Sequence, residues 1–144
     1  MASFAVTAIK RREPCVDRSE LGAIFLGGAA GALLRAGLVE TIGDGAPSWP
    51  WVTFAVNAVG AFLLGYFVTR LQERLPLSTY RRPLLGTGFC GALTTFSTMQ
   101  VELLRMLDAE RYAMAAAYGV GSIFAGFLGI HLASAMVRRL RLGT

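Results

Sequence analysis

Residues Gly86 to Gln100 read GTGFCGALTTFSTMQ, with three glycines running into Thr94, Thr95, Phe96, Ser97 and Thr98 and no charge anywhere in the stretch. Gly86, Gly88 and Gly91 each weaken a helix by about 1 kcal/mol relative to alanine. The paired threonines carry hydroxyls that divert backbone hydrogen bonds. At membrane depth a break is tolerated only where protein, water or an ion satisfies the freed groups. The segment is therefore either a helix broken in mid-course or an unbroken helix with a polar interhelical face. Carbonyls exposed at a break would suit a hard cation such as Na⁺.

The surrounding chain explains why membrane depth is the right setting. Its 144 residues are 54% hydrophobic and 16% charged, where a soluble domain carries about 25% charged residues. The charges leave four gaps: Leu21–Leu34, Trp49–Thr69, Pro83–Val101 and Tyr112–Val137. A bilayer core needs roughly 20 apolar helical residues. The last three gaps meet that length, and the first does so if Arg35 lies near its end and reaches an interface or a polar partner. The reading is an all-α membrane protein with four transmembrane helices, near 21–39, 50–70, 83–105 and 112–137. They form one domain over 20–138, flanked by tails at 1–19 and 139–144. Four buried helices of a soluble protein would retain a polar stripe.

The net charge of +5 is explained by where it lies. Lys10, Arg11, Arg12 and Arg18 precede the first helix; Arg70, Arg74, Arg81 and Arg82 separate the second and third; Arg138, Arg139 and Arg141 follow the fourth. Four crossings put these eleven on one side, against Arg105 and Arg111 on the other. The positive-inside rule then makes both termini cytoplasmic in a multi-pass membrane protein. No basic patch interleaved with aromatics is present, so nucleic acid is not an expected partner. The first twenty residues lack the order of a secretory signal, because the basic cluster follows the apolar stretch. Cys15 and Cys90 have no metal or redox spacing and read as free thiols.

Ser19-Glu20 reads as the start of the first helix. Gly27-x-x-x-Gly31 and Gly28-x-x-x-Ala32 are small-residue pairs that allow a close helix neighbour. Gly43–Pro47 reads as a turn, and Trp49 and Trp51 mark the membrane interface beyond it. Pro76 breaks the basic loop, and Pro83 opens the third helix. Four helices of this length enclose little by themselves, so an oligomer is expected.

A few polar groups interrupt the spans. Asn57 is either a donor facing an ion path or an interhelical hydrogen-bonding group. Ser122 is either a pathway hydroxyl or bonded back to its own helix. Arg35 attracts an anion, makes a structural contact across the bundle, or snorkels. His131 stands near the cytoplasmic end of the fourth helix and, as the single histidine, offers no metal cluster or proton relay. The nine acids all read as lying in tails, loops or helix ends, Glu102 among them. No nucleophile or general base stands out, and no enzyme is expected.

Taken together these residues resemble the Fluc/CrcB family of small bacterial fluoride channels. Gly28-Ala29-Ala30-Gly31-Ala32-Leu33-Leu34-Arg35 resembles the family's first-helix pattern, and Thr53 to Gly65, TFAVNAVGAFLLG, its second. Gly88 to Thr98 resembles the third-helix signature, and Tyr118-x-x-x-Ser122-x-x-x-Gly126 the fourth. The resemblance implies an antiparallel dimer with two pores that export fluoride passively and lower cytoplasmic fluoride. It also implies a structural, untransported Na⁺ at the dimer centre, held by the backbone carbonyls of Gly91 and Thr94. The fluoride pathway would carry over to Asn57, Phe96, Ser97, Thr98 and Ser122. The electropositive edge of the Phe96 ring would face the anion.

Two departures stand out. Met99 occupies the second position of the family's phenylalanine box, offering a polarizable thioether in place of a ring edge. The eleven-to-two charge bias also favours one insertion direction, which suits a heterodimer with an oppositely oriented homologue as well as or better than a homodimer. Two other functions compete: a non-conducting or partly conducting partner subunit, and a small four-helix multidrug exporter. The exporter would need a membrane-embedded carboxylate.

Overall fold

In the computed structural model, which describes residues 17–42, 49–73 and 80–142, every element among the described residues is helical. The tail with Lys10, Arg11, Arg12 and Cys15, the turn at Gly43–Pro47, and Arg74 and Pro76 lie outside the described residues. So does the side chain of Arg141.

Helix α1 (Arg18–Ile42) is longer than expected at both ends. Asp17 caps it by accepting the Ser19 N–H (3.0 Å) and the Ser19 hydroxyl. The helix therefore starts before Ser19, which donates to the cap. The same two bonds hold the Asp17 carboxyl below its ordinary value. Arg35 consequently lies seven residues inside α1, well short of its end. Helix α2 (Trp51–Glu73) follows.

The third segment is divided. A π-helix over Pro83–Cys90 passes into a single helical turn, Gly91–Leu93, and the two together form α3 (83–93). Its wide turn is seen at Gly91, whose N–H reaches the Gly86 carbonyl five residues back. Thr94 (φ −73°, ψ 150°) and Thr95 (φ −143°, ψ 116°) are extended, and α4 (Phe96–Asp108) restarts beyond them. Glu110, at φ 57°, closes α4. Its N–H reaches the Leu107 carbonyl (2.9 Å) and that of Arg111 the Met106 carbonyl (2.8 Å), a Schellman arrangement. Helix α5 (Tyr112–Leu142) follows and runs into the expected C-terminal tail.

Glycines set the distances between helices. A Cβ at Gly27 would overlap the Leu84 carbonyl, one at Gly31 the Phe89 carbonyl, and one at Gly88 would stand 2.6 Å from the Ile24 carbonyl. Helix α1 thus lies backbone to backbone along α3, in the same direction. Helix α2 lies along α5 in the same way. A Cβ at Gly65 would meet the Ile130 backbone at 2.9 Å, and one at Gly129 the Ala58 carbonyl at 3.2 Å. Asn57 faces Thr95 and Gly60 faces Thr94, so α2 runs against α3. Glu102 faces Tyr118, so α4 runs against α5. The order is up, down, up, down, and the basic residues Arg18, Arg70, Arg81, Arg82, Arg138 and Arg139 belong to one end.

Helices α1, α2 and α5 are each long and apolar enough to cross a membrane. Neither α3 nor α4 has that length alone. The outer surface carries Phe25, Leu26 and Leu33 on α1 and Val120, Ile123, Phe124 and Phe127 on α5, all exposed. This is the surface of a protein solvated by hydrocarbon.

Candidate functional site

The two extended threonines would leave buried backbone groups without partners, at a cost of about 1–3 kcal/mol each. Asn57 on α2 meets both groups of Thr95. Its Oδ1 accepts the Thr95 N–H at 2.7 Å, and its Nδ2 donates to the Thr95 carbonyl at 3.0 Å. One side-chain amide thus pairs with the broken segment as a neighbouring strand would. The interhelical hydrogen bond is realised, and it is made to backbone.

Thr95 has a second role. Its Oγ1 caps α4, accepting the Thr98 N–H at 3.3 Å, and lies 2.9 Å from the Thr98 hydroxyl and 3.4 Å from that of Ser97. Thr94 closes α3 instead: its N–H (3.1 Å) and hydroxyl (3.0 Å) both donate to the Cys90 carbonyl. Arg35 turns onto the same turn, donating from Nε to the Ala92 carbonyl at 3.2 Å. A cation at the C-terminal end of α3 complements the exposed carbonyls there. Of the three roles open to Arg35, the structural contact is one that the side chain makes.

This arrangement releases two particular carbonyls. In a continuous helix the Thr95 N–H would serve the Gly91 carbonyl and the Thr98 N–H the Thr94 carbonyl. Asn57 and the Thr95 hydroxyl take those donors instead. Gly91 is exposed, with nothing within 4 Å of where a Cβ would stand. Phe96, 67% exposed, and Ser97 also lie on the outside of the helical bundle, while Thr98 is half-buried.

Met99 points the other way. It is 9% exposed and packs with Met106, Ala115 and Tyr118, against Trp49, Phe54, Leu103 and Met114. Beside this cluster is a polar group the sequence reading placed wrongly. Glu102 stands in the middle of α4, half-buried, and not at a helix end. Its Oε1 accepts the Thr53 hydroxyl and its Oε2 the Tyr118 hydroxyl, both at 2.6 Å. Thr53 is the third residue of α2, so Glu102, though turned inward, stands near the end of the bundle opposite the basic residues and not at its middle. Ser122, one turn beyond Tyr118 on α5, does not bond back to its helix: its Oγ is buried and has no hydrogen-bond partner. The Trp49 indole nitrogen is in the same condition. Among the described residues no group of three His, Cys, Asp or Glu side chains converges on a metal-sized site.

At the basic end, His131 is exposed and stacks on Phe127 (6.4 Å, 11°), beside Ser134, Arg138 and Arg139. Cys90 is a buried free thiol.

Residues 22–134, nearly the whole helical part, match the family model described as CrcB-like protein, Camphor Resistance (CrcB). The chain belongs to the CrcB family. It is 62% identical over 125 residues to a protein of Mycolicibacterium paratuberculosis named fluoride-specific ion channel FluC 1, covering 87% of this chain and 95% of that one. A Mycobacterium bovis protein of the same name is 60% identical over 90% of this chain and 98% of its own length. The fluoride-specific ion channel FluC of Oceanobacillus iheyensis is 41% identical over 76% of this chain and 88% of its own. Family membership separates this CrcB chain from the exporters. The sequence places Thr95 at the break but gives no reading of it as the cap of α4, nor of the Thr53–Glu102–Tyr118 group. The threonine before Phe96, at the head of a run that turns amphipathic, was the available signal for the first.

Proposed function

We propose that this chain is a subunit of a fluoride-specific channel that lets fluoride leave a bacterial cell passively across the plasma membrane. The observation that carries the reading is the break at Thr94–Thr95 held by Asn57, in a chain 62% identical to a relative named a fluoride-specific ion channel. In this reading α3 and α4 together make the third of four membrane crossings. Both termini are cytoplasmic, because the basic residues gather at their end.

Fluoride is small and strongly hydrated, so a path must offer hydrogen-bond donors in place of water. The hydroxyls of Ser97, Thr98 and Ser122, the Asn57 amide and the ring edge of Phe96 are donors of this kind. Phe96, Ser97 and Thr98 also form the first turn of α4, whose free amides and dipole favour an anion at the break. Met99 serves from the inner side, filling space beside Tyr118. Conduction down a gradient requires no nucleophile and no proton acceptor.

The carbonyls of Gly91 and Thr94 fit a sodium ion, since both are stripped of helical donors and Gly91 opens outward. Oxygen ligands of this sort suit a hard cation. When bound, the ion would fix two such breaks to each other in an antiparallel dimer without being transported. The concentration of basic residues at one end favours a partner of opposite orientation, so a heterodimer accommodates this chain better than two copies of it.

The test is efflux from liposomes loaded with fluoride or chloride. Fluoride should escape without a proton gradient and chloride should stay. Equal chloride efflux, or dependence on a proton gradient, would refute the reading.

A further inference from the structure

We propose that the indole N–H of Trp49 is a further anion-binding donor of the pathway, at the end of the molecule opposite the basic cluster; this rests on the channel reading above. Trp49 precedes α2, where a membrane protein commonly places an interfacial anchor whose N–H reaches toward headgroups. Trp51 has that exposed placement, at 62%. Trp49 does not. Its ring is held edge-on by Tyr118 (5.4 Å, 83°) and Phe54 (5.8 Å, 69°), and its Nε1 is buried without an acceptor.

An indole nitrogen can only donate, so it requires an acceptor from elsewhere. Glu102, beside the same cluster, accepts the hydroxyls of Thr53 and Tyr118 and makes no hydrogen bond to the indole. The edge of the Trp49 ring that follows the nitrogen faces α5. A Cβ on Gly121 would lie 3.8 Å from its Cη2 and 4.0 Å from its Cζ2. The residue after Gly121 is Ser122, whose buried hydroxyl is the other group without a partner. The Trp49 indole and the Ser122 hydroxyl, both without a partner, thus border the same stretch of α5 among the described residues. Trp49 itself precedes the N-terminus of α2, which adds the positive end of a helix dipole. The occupant this favours is a small anion, which under the channel reading is fluoride passing between the outer mouth and Ser122.

The chain has two tryptophans, so Trp51→Phe leaves Trp49 as the sole reporter. Fluoride should change the emission of W51F protein saturably, while gluconate at equal ionic strength should not. In liposomes, W49F keeps an aromatic ring but loses the donor, and it should slow fluoride efflux about tenfold, consistent with loss of one charge-assisted hydrogen bond. W51F should conduct like wild type. Trp49 emission indifferent to fluoride, or W49F efflux equal to wild type, overturns the proposal, and the emission result decides if W49F does not fold. Wild-type liposomes that retain fluoride would instead overturn the channel reading and this proposal with it.

Discussion

At Asn57 a single amide does what a neighbouring strand does elsewhere, giving Thr95 one acceptor and one donor. Asn57→Ala removes both at once, and should lower stability by roughly 2 kcal/mol or more, as the cost of two unpaired backbone groups. Thermal unfolding in detergent checks this; a loss under about 0.5 kcal/mol would mean that the break does not depend on Asn57. Thr95→Ser keeps the cap on α4, whereas Thr95→Val keeps the shape and loses the oxygen. The valine variant should be about 1 kcal/mol less stable than the serine variant. Glu102→Ala would leave the Thr53 and Tyr118 hydroxyls without their acceptor and should be more damaging than Glu102→Gln, by the same measurement. Asn57 was legible in the sequence because it is a lone amide among apolar residues. The role of Glu102 was not, since it stands three residues from Arg105 and reads as the charged end of the third helix. Its partners come from 49 and 16 residues away, and only the fold brings them there.

Among the elements, α1 and α3 are joined by backbone contact where glycines leave room. Gly27→Ala and Gly31→Ala each put a methyl group into a carbonyl of α3, and should cost about 1–3 kcal/mol as overpacking. Gly37→Ala has nothing within 4 Å, and should be neutral or gain up to about 1 kcal/mol from helix propensity. If all three variants unfold at one temperature, the packing described here is wrong. The small-residue pattern at Gly27 and Gly31 announced this contact, because spacing by four puts both on one face. The π-helical form of Pro83–Cys90 had no such signal. Its composition fits a weak helix of any kind. The ends of α1 and α5 were also misjudged, since charged residues there continue the helix beyond the apolar span.

For the whole molecule, the up-down order and the basic end combine into a prediction of orientation. Cysteines introduced singly at Gly45 and Ser78 should differ in intact cells, the first labelled from outside and the second protected. Labelling of both positions from outside would show dual insertion and favour a homodimer. The fold class was readable from uncharged gaps alone, because hydrocarbon demands long apolar helices. The proposed pathway was readable only as a set of donors, since which of them face outward depends on packing that puts Phe96 outside and Met99 inside. The central claim is selective passage of fluoride, and the reversal potential in a planar bilayer, with fluoride on one side and chloride on the other, tests it most directly. The account predicts a potential that follows the fluoride gradient and is unmoved by chloride or pH. A potential that follows chloride or the proton gradient would contradict it.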